Sequence, residues 1–109
     1  MKKRLVAALA LPACVVILAS CETTLTSAPP VTAAFVRAGR PEHADAQTLE
    51  AGRAVFLNRC ISCHALPDIA RYDSERIPGI VRWMSGRAHL TPEQKEALTR
   101  YLLAVKAQL

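Results

Sequence analysis

The chain has 109 residues, of which 51% are hydrophobic, and a formal charge of +5 from 14 Lys and Arg against nine Asp and Glu. Three of the basic residues lie at positions 2–4, so the chain from residue 21 onward has eleven basic and nine acidic residues, a charge of +2. That remainder has no dense run of Lys and Arg, which excludes an electrostatic nucleic-acid interface.

Residues 1–20 have the organisation of a secretory signal peptide. A basic start is followed by an apolar run over residues 5–19, interrupted only by Pro12. The run is shorter than the roughly 20 residues that span a bilayer, and its length suits a signal peptide. Its end, "LASC", resembles the lipobox of bacterial lipoproteins, in which cleavage precedes the cysteine, here Cys21, and a lipid is attached to the thiol. The alternatives are a plain signal peptide with an incidental cysteine and an uncleaved anchor.

The lipoprotein resemblance implies an exported protein on the periplasmic side, anchored to a membrane through lipid on Cys21. Glu22 follows this cysteine, whereas an aspartate there is an inner-membrane retention signal in some bacteria, so the sequence favours the outer membrane. Cys14 would leave with the signal peptide. Cys60 and Cys63 are then the remaining pair, and no further pair is left for a disulfide framework.

Residues 21–42 are rich in Thr, Ser, Ala and Pro and show no sustained period. This composition predicts a lipidated, flexible tether. Val31, Phe35 and Val36 are apolar exceptions within it, and the alternative to a free tether is that they pack on the domain.

Residues 43–109 are predicted to form one all-α domain, because they show three helical patterns and no convincing strand. A domain of this size buries only about 60% of its surface, and small domains often need a metal or cofactor for stability. The first helix is expected over residues 46–60, with Asp45 or Thr48 as its N-cap.

The second predicted helix is short, with Pro78 in its first turn and Gly86 as its stop signal. Its apolar positions share one face, at Ile77, Ile80, Val81 and Met84.

The third predicted helix has the clearest boundaries. Thr91 is placed as N-cap, Pro92 as the first helical residue and Gln94 as the partner in a capping box. Its buried stripe is expected at Leu98, Tyr101, Leu102 and Val105.

The motif "CISCH", which contains Cys60, Cys63 and His64, admits three interpretations. A thioredoxin-type dithiol usually follows a strand, and no strand pattern precedes this motif. A structural zinc site needs four nitrogen or sulfur ligands, and His43 and His89 are single and distant. A c-type haem needs only the residues present, since two thiols can form thioethers with its vinyl groups while the histidine binds iron. We therefore expect one covalently attached haem c.

The motif, a midsection ending in "WM" and the closing "LTPEQKEALTRYLLAVK" make residues 46–109 resemble the small monohaem cytochromes c. The resemblance implies a cytochrome c-like fold of three to four helices around the haem. It also implies that Gly52 and Phe56 on the first helix cross Tyr101 on the last, with Gly52 allowing close backbone approach. Met84, the sole methionine after the first residue, would be the sixth iron ligand. In many family members this methionine lies on a looser loop.

Several further residues around this site have alternative roles. His64 should donate its other ring N–H to a backbone carbonyl in the turn over residues 65–67. His89 is the alternative sixth ligand, and Trp83 is placed to pack on the haem, bond a propionate or shield the surface. Four arginines are candidates to neutralise propionates or dock an acidic partner, Arg71, Arg76, Arg82 and Arg87.

The function implied is that of a non-enzymatic electron carrier with redox-protein partners and no small-molecule substrate. His/Met ligation raises the reduction potential and leaves no open iron position. Two alternatives are a haem c subunit of a larger respiratory complex, and a haem sensor or enzyme with an open sixth site.

Overall fold

The computed structural model describes residues 27–39 and 44–109, and this part of the chain is helical without a strand. Its four α-helices are α1 (Ala33–Ala38), α2 (Ala46–Arg59), α3 (Ile77–Arg87) and α4 (Pro92–Lys106). Short 3₁₀ turns lie at Cys60–Ser62, Ile69–Arg71 and Ser74–Arg76. The predicted all-α class is confirmed. The signal peptide and Cys21 lie outside the described residues, among which no helix is long and apolar enough to cross a membrane.

Side-chain caps fix where α2 and α4 begin. The Asp45 carboxylate accepts a hydrogen bond from the Thr48 N–H at 2.7 Å, which also lowers the pKa of Asp45. At α4, the Thr91 hydroxyl accepts from the Gln94 N–H, and the Gln94 side chain accepts from the Thr91 N–H. These bonds satisfy backbone donors that have no partner within a helix. Both predicted starts are confirmed, with Asp45 rather than Thr48 as the cap of α2.

The end of α3 differs from its prediction. The helix continues through Gly86 to Arg87, and His89 adopts a left-handed conformation with φ of 52°. The Leu90 N–H then donates to the Ser85 carbonyl at 3.0 Å. This is the bond that closes a Schellman motif, with His89 in the position usually taken by glycine. Histidine is among the residues that tolerate this conformation, so Gly86 is not needed as the stop.

Helices α2 and α4 cross at Gly52. A Cβ atom at this position would overlap the Ala97 carbonyl and lie 2.6 Å from the Tyr101 Cβ, so the contact requires glycine. The Phe56 and Tyr101 rings flank the crossing with centroids 6.2 Å apart. Burial raises the pKa of Tyr101 to about 12. The close approach expected at Gly52 is therefore confirmed. The largest fully buried side chains are Tyr101, Phe56 and Leu49.

The segment 27–39, which we call the N-terminal strap, packs against this crossing. The Tyr101 hydroxyl donates to the Pro29 carbonyl at 2.8 Å. The Arg53 guanidinium donates from Nε to the carbonyls of Ala28 and Pro29, at 3.2 and 3.1 Å. Each of these contacts joins residues far apart in the chain, so the strap is held by tertiary interactions.

Apolar contacts complete the docking of the strap. The Phe35 ring stacks on Tyr101 with centroids 5.7 Å apart. Gly39 lies so close to α4 that a Cβ there would be 2.8 Å from that of Ala104. The flexible tether expected over residues 21–42 is therefore corrected for residues 27–39, because Phe35 and Ala28 bury their surface in the core. Residues 21–26 and 40–42 lie outside the described part.

The crossing predicts opposite effects of alanine at two glycines. Gly52→Ala should lower the free energy of unfolding by about 1–3 kcal/mol, because the helices must move apart. Gly79→Ala is the matched control, since nothing lies within 4 Å of its Cβ position. It should stabilise the helix by about 0.4–1 kcal/mol. Urea unfolding followed by circular dichroism measures both. Equal stabilities of the two variants would show that the crossing tolerates a side chain.

Candidate functional site

One cavity, of about 290 Å³, lies between the C-terminal part of α2, the turns that follow it, α3 and α4. Its wall is largely aliphatic and aromatic, formed by Phe56, Ile69, Tyr72, Ile77, Ile80, Val81, Leu98 and Leu102, among others. The predicted site residues Cys60, Cys63, His64 and Met84 all line the same cavity. The fold therefore brings together four residues that lie up to 24 positions apart in the sequence.

The two cysteines are presented by the end of α2 and the turn after it. Cys60 is half-buried where the helix passes into the 3₁₀ turn, and Cys63 follows that turn and is exposed. The Ser62 hydroxyl donates to the Asn58 carbonyl at 3.0 Å and ties the turn back to the helix. Both thiols are free, so the cavity wall presents two unbridged sulfur atoms three residues apart.

The position of Cys60 does not suit a reactive dithiol. Burial raises the pKa of its thiol, so the neutral form is favoured. Reactive cysteines of Cys-x-x-Cys motifs have a lowered pKa, commonly because they lie at a helix N-terminus. Cys60 caps the C-terminus of α2, where the helix dipole is negative and opposes a thiolate.

The His64 ring is oriented by its own backbone turn. Its Nδ1 lies 2.7 Å from the Ala65 carbonyl oxygen, which can only accept a hydrogen bond. Nδ1 therefore carries a proton and donates this hydrogen bond. The expected carbonyl partner in the turn over residues 65–67 is thus confirmed as that of Ala65. Nε2 is then the ring nitrogen that can bind a metal.

Met84 reaches the cavity from α3. It is half-buried, and it shares the cavity wall with Ile77, Ile80 and Val81, the residues predicted to lie on its helical face. Ile77 and Val81 belong to the buried core, whereas Met84 does not. Its thioether therefore borders the cavity and is not enclosed in the packed interior.

Trp83 and Arg87 form a cation–π pair beside the cavity. The Arg87 guanidinium carbon lies 4.2 Å from the Trp83 ring centroid, and Trp83 is 61% exposed. Both residues line the cavity, as does the exposed Arg59. Trp83 and Arg87 were each predicted to lie near the site, but neither their contact nor a role for Arg59 was predicted, although a spacing of four residues is the signal for a contact on one helix face.

The other candidates lie elsewhere. Arg71, Arg76 and Arg82 are exposed and do not line the cavity, and Arg71 pairs with Asp68 at 3.5 Å. His89 is also exposed and away from the cavity wall, where its observed role is the backbone turn after α3. His43 lies outside the described residues. Within residues 27–39 and 44–109, no three His, Cys, Asp or Glu side chains are grouped to hold a metal ion.

No protein-family model, no curated protein and no solved structure matches this chain. The chemistry of the site therefore has to be inferred from its side chains. They are two unbridged thiols, an imidazole whose Nδ1 bonds the Ala65 carbonyl, and a thioether, on the wall of an apolar cavity with two arginines.

The different environments of the two thiols predict different reactivity in the chain without bound cofactor. Iodoacetamide at mildly alkaline pH should label Cys63 several-fold faster than Cys60, because Cys63 is exposed and burial raises the pKa of the Cys60 thiol. Peptide mass spectrometry resolves the two sites. In urea the two rates should converge, which provides the control. Equal rates in the folded chain, or faster labelling of Cys60, would contradict the described burial.

Proposed function

We propose that this protein is a one-electron carrier that would hold a single haem c through Cys60 and Cys63, with His64 and Met84 as the ligands of its iron. The observation that carries the proposal is that all four residues line one apolar cavity in an all-helical domain. Cys-x-x-Cys-His is the attachment signature of c-type haem.

The residues around the cavity fit such a group. Two thiols three residues apart, at the end of α2, match the two vinyl groups of haem, and both are free to form thioethers. The aliphatic and aromatic wall suits the apolar faces of a macrocycle. Arg59 and Arg87 are exposed residues on the same wall and supply positive charge for two propionates. Each chemical part of the cofactor thus has a partner among the described residues.

The haem would supply the redox-active iron, and the protein would tune and retain it. The hydrogen bond from His64 Nδ1 to the Ala65 carbonyl orients the imidazole and strengthens Nε2 as a metal ligand. Met84 offers a soft, uncharged thioether, a ligand type that raises the reduction potential. The apolar wall limits water around the site, which also influences the potential. If His64 and Met84 both bind the iron, no position would be left for a substrate, so the role we propose is electron transfer and not catalysis.

The cellular setting is proposed from the sequence of residues 1–22. The signal peptide and the lipobox-like "LASC" support export and lipid attachment at Cys21. The proposed protein is therefore an electron carrier on the periplasmic side, tethered to a membrane, with the outer membrane favoured by Glu22. Its partners would be other redox proteins, reached by one-electron exchange.

Absorption spectra of the oxidised and reduced protein, produced together with the c-type haem maturation machinery, test the proposal directly. A pyridine haemochrome typical of thioether-linked haem is expected. The ferric protein should also show the weak red band of iron bonded to thioether sulfur. Haem without that band would favour an open or histidine-bound sixth position, as in a sensor or a bis-histidine protein. Absence of covalent haem would overturn the proposal.

The assignment of Met84 predicts the effect of one substitution. Met84→Ala should abolish the red band, lower the reduction potential and let the reduced protein bind carbon monoxide, because the sixth position opens. The control is His89→Asn, which removes the alternative imidazole but keeps a residue that tolerates the left-handed turn. This control should leave spectrum and potential unchanged. If Met84→Ala leaves both unchanged, or His89→Asn shifts them, Met84 is not the ligand.

A further inference from the structure

The N-terminal strap and the cavity occupy different faces of α4. Leu98 and Leu102 line the cavity, whereas Tyr101 and Ala104 contact the strap. Successive helical residues are rotated by about 100°, so the two faces are separated by roughly 110°. None of the strap residues 27–39 lines the cavity. The strap can therefore stay docked while the cavity remains open to a partner.

Docking moves the point at which the chain leaves the domain. Ala28 has no exposed surface, and its carbonyl accepts from Arg53, so it is the first firmly held residue of the strap. From Cys21 to Ala28 the chain can span at most about 25 Å, at up to about 3.6 Å per residue. If the chain were free as far as Ala44, the same limit would be about 80 Å. Docking thus shortens the maximal reach of the proposed anchor about threefold.

We propose that the strap is a built-in leash: by docking, it shortens the tether, keeps the domain close to its own membrane and limits it to redox partners whose exchange site comes near that surface. A domain of about 66 residues is roughly 28 Å across, so no part of it can lie further than about 50 Å from the anchored cysteine. This inference rests on the proposed lipidation of Cys21 and on the proposed electron transfer. It adds where exchange takes place: the partner's exchange site must come within about 50 Å of the membrane surface.

The docking of the strap depends on individual residues that can each be substituted. Phe35 carries the ring contact with Tyr101. Gly39 permits the close contact with Ala104, so Gly39→Leu should push the strap away without altering a core side chain. Arg37 lies on the same short helix but is exposed, which makes Arg37→Ala the matched control. The three substitutions, Phe35→Ala, Gly39→Leu and Arg37→Ala, all lie within the strap itself.

The leash is tested with the full lipidated, haem-loaded chain in phosphatidylcholine vesicles that carry a fluorescent headgroup whose emission overlaps haem absorption. Quenching of the headgroup by haem reports how close the domain stays to the membrane. Wild type and Arg37→Ala should quench equally and strongly. Phe35→Ala and Gly39→Leu should quench measurably less, with unchanged haem spectra and no loss of helical content beyond the six residues of α1. Unchanged quenching in both variants, with the strap open to protease, would overturn the proposal.

A second measurement on the wild type decides the case if those variants do not fold. A six-residue helix such as α1 is not stable alone. Slow hydrogen exchange at the Val36 and Gly39 amides, which donate to Thr32 and Phe35, would therefore require docking of the strap. Rapid exchange there would refute docking.

Failure of the proposed function would be distinguishable from failure of the leash. If the chain binds no haem, energy transfer from Trp83, the single tryptophan, to a dansyl headgroup replaces haem quenching as the distance probe. Equal transfer in wild type and Arg37→Ala with a loss in Phe35→Ala would support the leash even without haem. No loss in Phe35→Ala would refute it.

Discussion

The close approach of α2 and α4 at Gly52 is the constraint on which the rest of the structure depends. A side chain at this position would overlap the Ala97 carbonyl, so the two backbones can cross in this way only with glycine. The crossing holds the C-terminal end of α2, with Cys60, on the same cavity wall as Leu98 and Leu102 of α4. The backbone contact at Gly52, about two helical turns before Cys60, thus places the thiols beside the apolar cavity wall.

The site that results combines sulfur and imidazole groups with an apolar wall. Burial raises the pKa of the Cys60 thiol, and the Ala65 carbonyl accepts a hydrogen bond from His64 Nδ1. The positive charges of Arg59 and Arg87 lie on the exposed side of the wall. Such a site suits a large apolar group with anionic edges and a metal that accepts nitrogen and sulfur ligands, which is the combination that the proposed haem provides.

Local rules allowed much of the helical structure to be predicted. The caps at Asp45 and Thr91 depend on residues three positions apart, and the cavity-facing stripe of α3 depends on helical periodicity. The docked strap could not be predicted in this way, because the burial of Phe35 depends on Tyr101, 66 residues later in the chain. Its composition resembles that of a linker, and only the tertiary contact shows otherwise. The turn after α3 was mispredicted for a related reason: the sequence analysis favoured glycine, whereas the backbone uses the left-handed tolerance of His89.

The candidate site was predictable to the extent that its residues lie within one motif or on one helix face. Cys60, Cys63 and His64 are contiguous, and their shared cavity wall follows from a helix end and one turn. Trp83 and Arg87 were predicted near the site individually, whereas their contact, with the Arg87 guanidinium 4.2 Å from the Trp83 ring, depends on the side-chain conformations in the folded helix.

Most faces of helix α4 contact another part of the protein. Ala97 and Tyr101 meet α2, Leu98 and Leu102 form the cavity wall, and Ala104 receives the strap. Its acidic positions near the N-terminal end, Glu93 and Glu96, remain exposed. We therefore expect amino-acid substitutions along this helix to be tolerated mainly at its exposed positions. At the other positions, a substitution would require a matching change in the part of the protein that the residue contacts.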